Sequence, residues 1–508
     1  MCGIVGFVGN EQAAPILLDG LSKLEYRGYD SAGIAVRDND SNIKIVKAKG
    51  RLKGLIEKTD AGHAVFGTCG IGHTRWATHG EPSETNAHPH TSDDGNVVGV
   101  HNGIIENYQE LKAKLMKNGY SFYSSTDTEV AVKLVDYYYK KYEHTPVDAI
   151  NHAMVRIRGS YALAMMFEEY PNEIYVARKD SPMIIGVADG NCYIASDVPA
   201  ILKYTRNVYY IGNMELGRLA DGKATFYNLD GDEIQKDLVE IKWDAEAAEK
   251  GGYEHFMMKE IHEQPRAIQD TMNSKMKDGR IDLSDVGLSE DDIKNISQVI
   301  IVACGSAYHT GVVTQYVMED LARIPVRVEL ASEFRYRKPI LNKNDLVIVV
   351  SQSGETADTL AGLRLAKNQG VKTLGIVNVV GSSIAREADN VFYTMAGPEI
   401  AVATTKAYSA QLIAGYMLSI EFARVRGQIT DEQYTDYIAE LETIPDKINK
   451  ILEDKERIQW FAAKQANAQD IFFVGRGIDY AICLEGSLKL KEISYIHSEA
   501  YAAGELKH

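Results

Sequence analysis

Met1-Cys2-Gly3-Ile4-Val5-Gly6 opens the chain with an apolar run directly behind the initiator methionine. Chain ends usually carry polar, loosely held residues because they bury little. An apolar start therefore predicts an N-terminal strand built into a core, with Cys2 at its edge. Position alone leaves two readings of that cysteine open. It is an ordinary buried strand residue, or, once Met1 is removed, it carries a thiol and the free α-amino group together. The reference pKa of that amine, ~8, lies close to the thiol's ~8.5, so one residue can supply both nucleophile and general base.

The 508 residues suffice for roughly three or four domains of ~100–150 residues. Hydrophobic content of 45% and charged content of 25% are those of a soluble globular protein. The net charge of −16 argues against a nucleic-acid partner, which would need a basic stripe. No segment approaches the ~20 apolar residues of a membrane span, and Met1-Cys2-Gly3 lacks the charged start of a signal peptide. Cys2, Cys69, Cys192, Cys304 and Cys483 are too few and scattered for a disulfide framework or a CxxC zinc site. These features predict a cytoplasmic protein with reduced thiols and no membrane contact.

Outward from Cys2, the residues up to about Trp243 alternate short apolar runs with Gly-rich turns. Strands are expected at 4–8, 33–36, 43–47, 97–101, 162–167, 173–177 and 193–195. Helical spacing marks 13–24, through Ile16, Leu17, Leu21 and Leu24, and 128–142, through Val130, Leu134, Val135 and Tyr138. Strand-rich layers with helices outside predict an α+β sandwich. Two polar clusters interrupt it: Gly72-His73-Thr74-Arg75-Trp76-Ala77-Thr78-His79-Gly80 and Val100-His101-Asn102-Gly103-Ile104-Ile105-Glu106-Asn107. A thiol attacking an amide needs donors aimed at the developing oxyanion, and an Asn side chain beside a Gly N–H offers two. Arg75 has the bidentate fork that suits an α-carboxylate. Asp127, within Ser125-Thr126-Asp127-Thr128-Glu129, is a candidate anion for an α-ammonium or simply a helix N-cap. His73, His79, His88, His90 and His101 show no metal-ligand spacing, and the expectation is a structural role in loops with no metal site.

In combination these motifs, with Leu24-Glu25-Tyr26-Arg27-Gly28-Tyr29-Asp30-Ser31-Ala32-Gly33, resemble the class II glutamine amidotransferase domain, an N-terminal-nucleophile hydrolase fold. The resemblance implies Cys2 as nucleophile after loss of Met1, with Asn102 and Gly103 as oxyanion hole. It also implies Arg75, Trp76, Thr78, His79 and Asp127 around the glutamine, and Trp76 lining or gating a passage for ammonia.

From 244 to 284 the chain turns polar and helical, with Gly251-Gly252 ahead of an amphipathic segment, which predicts a linker with a docking helix. A second pattern starts at Gln298-Val299-Ile300-Ile301-Val302-Ala303-Cys304-Gly305-Ser306, an apolar strand ending in Gly-Ser before a helix at 310–321. Asp345-Leu346-Val347-Ile348-Val349-Val350 leads into Ser351-Gln352-Ser353-Gly354-Glu355-Thr356, and a strand at 371–377 and a helix at 405–420 follow. This is the repeating unit of a doubly wound α/β domain, expected over 285–429. A hydroxyl-rich turn at a strand's carboxyl end, opening onto a helix N-terminus, suits a phosphate, although Ser and Thr there also serve as helix caps. After a helical connector at 430–464, Asp470-Ile471-Phe472-Phe473-Val474-Gly475-Arg476-Gly477 repeats the strand and glycine turn, with Gly477 opposite Gly305. An internal duplication is expected, its second copy (465–508) stopping after one strand and one helix as in a C-terminal truncation.

These features resemble the sugar isomerase (SIS) domain pair of the isomerising amidotransferases. The resemblance implies glutamine and fructose 6-phosphate as substrates, glucosamine 6-phosphate as product, a homodimer, and no cofactor. By position it assigns Ser351, Gln352, Ser353 and Thr356 to the sugar phosphate and places Ser306, Val402 and Thr404 near the sugar. Glu492 would move a proton between C1 and C2, Lys489 would support charge, and His508 would open the ring in the neighbouring subunit's site. In the family a tail bearing a Schiff-base lysine follows, so a chain of this length is expected to release glutamate and to fail in synthesis. Ala307 stands where the family often has a serine, which puts one hydroxyl contact in doubt. A sugar-phosphate-binding regulator and a glutaminase feeding another acceptor are the alternative expectations.

Overall fold

The computed structural model describes residues 2–25, 28–38, 42–142, 145–241 and 250–507. The chain divides into two compact units, Met1–Ala245 and Glu246–His508. The expected boundary at 243–244 and His508 lie outside the described residues.

In the first unit the strand Gly3–Val8 is buried along its whole length, near the centre of an eight-stranded antiparallel sheet between Asn191–Ala195 and Cys69–Arg75. Its side chains alternate between two cores, as a two-residue period requires. Val5 and Phe7 meet Leu17, Leu21 and Leu24 of the helix Ala13–Leu24. Ile4 and Val8 meet Val98, Val100, Ala162, Ala164 and Val176 of a second, seven-stranded sheet. That sheet's other face carries the helices Asp127–Lys141 and Pro146–Arg156 through Val130, Leu134, Ala149 and Ile150. The result is a four-layer helix–sheet–sheet–helix sandwich. Gly3 is required by close approach: a Cβ there would lie 2.7 Å from both Leu24 Cβ and Thr74 Oγ1.

Two expectations change here. The strand expected at 97–101 runs on as Val97–Ile105, so Asn102 and Gly103 sit within the sheet. The polar cluster at 72–75 is also a strand, Cys69–Arg75, buried throughout. Its polarity hid it, because His73, Thr74 and Arg75 are polar residues inside a core.

In the second unit five parallel strands run in the order Val326–Leu330, Gln298–Ala303, Asp345–Ser351, Lys372–Val377 and Asn390–Tyr393. One face packs Ile301, Ala303, Ile348 and Val350 on Met318, Ile413 and Met417, from the helices Ser306–Leu321 and Lys406–Val425. The other packs Val302, Val347 and Val349 on Leu360 and Leu363 of the helix Ala357–Asn368. Helices on both faces of a parallel sheet make it doubly wound. The helix Phe256–Asn273 joins this unit through Ile268 and Met272.

The second copy holds one strand more than expected: Asp470–Gly475 pairs in parallel with His497–Ala502 across the helix Ile478–Ser494. His497-Ser498-Glu499-Ala500-Tyr501-Ala502 lacks the apolar run by which buried parallel strands are recognised. Gly305 and Gly477 precede the corresponding helices with nearly the same backbone, φ 57° and ψ −135° against φ 58° and ψ −130°. A Cβ at either would meet nothing within 4 Å, so the backbone conformation, not crowding, calls for glycine.

Candidate functional site

Cys2 precedes the central strand and is half-buried. The Trp76 N–H donates to its Sγ at 3.2 Å. Burial pushes the Cys2 thiol up, against the opposing pull of the Trp76 N–H and the Arg75 guanidinium. A neutral thiol is a poor nucleophile, so the geometry calls for a base.

Asn102 stands beside it, its Nδ2 donating to the Cys2 carbonyl at 2.9 Å. Its orientation is set from behind. His73 Nε2 lies 3.0 Å from both Asn102 Oδ1 and the His101 carbonyl. Both partners accept, so Nε2 carries the proton and donates to each. Next in the strand, Gly103 has φ 128°, and a Cβ there would lie 2.1 Å from the Ser160 carbonyl oxygen. A side chain is excluded, and the conformation falls in the region that favours glycine.

Asp127 is buried, and its Oδ2 accepts from the Ile105 N–H at 2.9 Å. The helix cap is its neighbour Thr126, whose side chain accepts from the Glu129 N–H. The capping role weighed for Asp127 is thus filled, and its carboxylate faces the end of the strand that bears Asn102 and Gly103. Arg75, also buried, donates to the carbonyls of His79 and Gly80, and so shapes the turn that carries Thr78 and His79. Asp30 braces the same turn, accepting from the Ala77 N–H at 2.7 Å. Trp76 is 42% exposed and rests edge-on against Tyr29.

The expectation that the histidines lie in loops holds for His79 and His88 and fails for the other three. His73, His90 and His101 lie in strands; His88 stacks on His73 at a centroid distance of 3.9 Å and meets His90 edge-on at 5.1 Å. Thr126 and Thr128 hydroxyls face His90, His88 and His101. Among the described residues no group of His, Cys, Asp or Glu is arranged to hold a metal ion. Burial is the first cause that keeps all four below the ordinary histidine value, His73 at about 3. His73 Nδ1 has no hydrogen-bond partner among the described residues, so protonation there would bury an unsatisfied N–H.

Folding therefore depresses these pKa values, and the unfolded chain takes up protons first as pH falls. The stability that hangs on these neutral histidines is full above about pH 6.5 and is lost between there and about pH 3. Urea midpoints for unit 1 are expected to drop steadily from pH 7 to pH 4, and His73→Gln is expected to flatten that slope. An unchanged midpoint over this range would contradict the neutral stack.

In the second unit Ser306 follows the strand Gln298–Ala303 and Ser351 ends the neighbouring parallel strand, where Ala303 is in register with Val350. Ser351 Oγ accepts from the Gly354 N–H at 3.0 Å and lies 3.0 Å from Thr356 Oγ1. Ser353 Oγ accepts from the Glu355 N–H. Thr356 starts the helix Ala357–Asn368 with no side-chain cap bond, which leaves first-turn N–H groups available to an anion. Ala307 packs against the core, so its methyl has a place of its own.

Ser306 also reaches the second copy. Its hydroxyl donates to Glu485 Oε1 at 2.7 Å, and Glu485 lies 3.5 Å from Lys489 Nζ, which in turn pairs with Glu492. Three sequence-predicted residues are thereby linked through one that was not singled out. Its signal was helical spacing: Glu485, Lys489 and Glu492 lie four and three residues apart on one face. Thr404 Oγ1 donates to Glu399 at 2.6 Å, while Val402 is 68% exposed.

A cysteine whose carbonyl takes an Asn amide, near a buried carboxylate, on a layered sandwich joined in sequence to a doubly wound unit with a hydroxyl-rich turn, defines a glutamine amidotransferase coupled to sugar isomerase domains. Family models agree: a glutamine amidotransferase domain matches residues 73–203, and the SIS domain matches 292–421 and 465–508. Relatives named glutamine–fructose-6-phosphate aminotransferase [isomerizing] from Caldanaerobacter subterraneus subsp. tengcongensis and Clostridium acetobutylicum are 56% and 55% identical over 509 residues, covering 100% of this chain and 83% of each relative. The solved C-terminal domain of glucosamine-fructose-6-phosphate aminotransferase from Francisella tularensis is similar at 42% identity and TM-score 0.50, covering 51% of this chain and 73% of that one. The chain belongs to the glutamine–fructose-6-phosphate aminotransferase (isomerizing) family.

Proposed function

We propose that these residues serve the transfer of nitrogen from the side-chain amide of glutamine to fructose 6-phosphate, a reaction that gives glutamate and glucosamine 6-phosphate. The observation that carries the reading is the Cys2–Asn102 pair, with Asn102 oriented by His73. Once Met1 is removed, the Cys2 α-amine accepts the thiol proton, and the thiolate forms a C–S bond to the glutamine amide carbon. The Asn102 amide and the Gly103 N–H hold the oxyanion. The C–N bond breaks, and ammonia leaves with the transferred proton. Water then cleaves the thioester to glutamate and restores the thiol. Arg75, Trp76, Thr78, His79 and Asp127 form the glutamine pocket in this proposal, with Asp127 facing the α-ammonium.

Over 285–429 and 465–508, Ser351, Gln352, Ser353 and Thr356 hold the phosphate, with Ser306, Val402 and Thr404 near the sugar. Nitrogen condenses at the C2 carbonyl with loss of water. Glu492 carries a proton from C1 to C2, leaving an aldehyde at C1 and an amine at C2, with Lys489 steadying its charge. His508 is assigned to ring opening. A homodimer in the cytoplasm completes the proposal, supported by the family resemblance and by five free cysteines; no helix among the described residues is long and apolar enough to cross a membrane.

Calorimetric titration tests the acceptor. Fructose 6-phosphate is expected to bind, fructose to give no signal, and the Ser351→Ala/Thr356→Val variant to bind at least tenfold more weakly. Equal binding by fructose, or full affinity in that variant, would overturn the phosphate assignment.

A further inference from the structure

The segment 397–405, which carries Val402 and Thr404, has no regular secondary structure. A segment of that kind needs side chains to satisfy its backbone. Two carboxylates do so from different directions. Glu399 works locally: its Oε1 accepts from the N–H groups of Thr405 and Ala407 at 2.9 and 3.1 Å, and its Oε2 takes the Thr404 hydroxyl. Glu260 works from a distance in sequence. It projects from the helix Phe256–Asn273 and is 1% exposed. Its Oε1 accepts from the N–H groups of Ile400 and Ala401 at 2.6 and 3.0 Å, and its Oε2 lies 3.2 Å from Ala401 N.

A carboxylate this buried is costly unless several donors face it. The charged neighbours set the balance. Glu399 in the segment repels it, and Lys406 on the helix Lys406–Val425 attracts it. Lys406 Nζ is itself 2.6 Å from Glu263 Oε2, and Glu263 also lies 3.3 Å from Lys259. The nearby lysines are thus shared with Glu263. Burial, with Glu399 next, raises the Glu260 pKa to about 7. A raised carboxyl pKa means the folded protein holds this proton more tightly than the unfolded chain. Stability therefore falls as pH rises from about 4.5 to about 7, and ionisation of Glu260 works against the fold. A glutamine would keep an acceptor for these N–H groups without that penalty, so satisfying the backbone does not by itself account for an acid here.

We propose that Glu260 is a positioning residue for sugar-phosphate binding, whose ionised carboxylate holds the backbone at Ile400–Ala401 and so places Val402 and Thr404. The inference rests on the proposed role of those two residues at the sugar. Above pH 7 the carboxylate accepts both N–H groups at full strength, because ionic acceptors bind more strongly than neutral ones. Below it the clamp weakens, and the segment gains freedom.

The test compares wild type, Glu260→Gln and Glu260→Ala in two measurements: hydrogen exchange of the Ile400 and Ala401 amides at fixed pH, and calorimetric binding of fructose 6-phosphate from pH 6 to pH 8. Glutamate release from glutamine by each variant checks that the chain is folded. At pH 8 both variants are expected to exchange these amides at least tenfold faster than wild type. Wild type is expected to gain affinity from pH 6 to pH 8 by at least threefold more than Glu260→Gln, a comparison in which the phosphate's own ionisation cancels. Unaltered exchange, or parallel pH profiles for wild type and Glu260→Gln, would overturn the proposal. If wild type binds no fructose 6-phosphate, the acceptor reading fails by itself, and the exchange measurement still decides whether Glu260 anchors the segment.

Discussion

Cys2→Ala is expected to abolish glutamate release from glutamine, by ~10⁴-fold or more, the scale on which removing a covalent nucleophile acts. Among the described residues no neighbouring group replaces the thiol. The Trp76 backbone N–H and carbonyl face the thiol, and Asn102 donates to the Cys2 carbonyl; none of these is a nucleophile. Cys69 and Cys192 are buried among the apolar residues between the two sheets. The fold should tolerate the change, because Cys2 precedes the strand and contributes no apolar core contact. Circular dichroism and the urea midpoint are expected to match wild type while steady-state glutamate release falls to background. Persisting release in a folded Cys2→Ala chain would remove the nucleophile from the account.

Asn102→Ala is expected to lower kcat for glutamate release by about 10²–10³-fold, equivalent to about 3–4 kcal/mol of transition-state stabilisation, with little change in KM. A donor aimed at an oxyanion acts on charge that exists only after attack, so its loss appears in kcat. Its strength comes from fixed orientation: His73 holds Oδ1, leaving Nδ2 pointing at the Cys2 residue. Asn102→Asp should be worse than Ala, since it places a negative charge where another develops. A kcat for Asn102→Ala within threefold of wild type would assign the oxyanion to other donors.

Much of this was legible in the sequence, and the failures share a physical cause. The alternation in Ile4–Val8 and the spacing of Leu17, Leu21 and Leu24 reported the strand and its helix, because each buries apolar atoms at a fixed period. The glycine before each repeated helix reported the duplication, because its backbone conformation admits little else. Apolar periodicity fails where polar residues enter a core. His73, Thr74 and Arg75 are buried in a strand whose partners come from elsewhere in the chain. His497–Ala502 escaped notice for lack of an apolar run. Glu260 and Glu485 act on segments 140 and 179 residues away, and no local pattern encodes such a pairing.

The central claim is that Cys2, freed of Met1, forms a γ-glutamyl thioester. Rapid acid quench of the protein with isotope-labelled glutamine, followed by peptide mapping, tests it most directly. The account predicts label on an N-terminal peptide that begins at Cys2, and none in Cys2→Ala. Label on any other residue, or on a peptide that still begins at Met1, would contradict it.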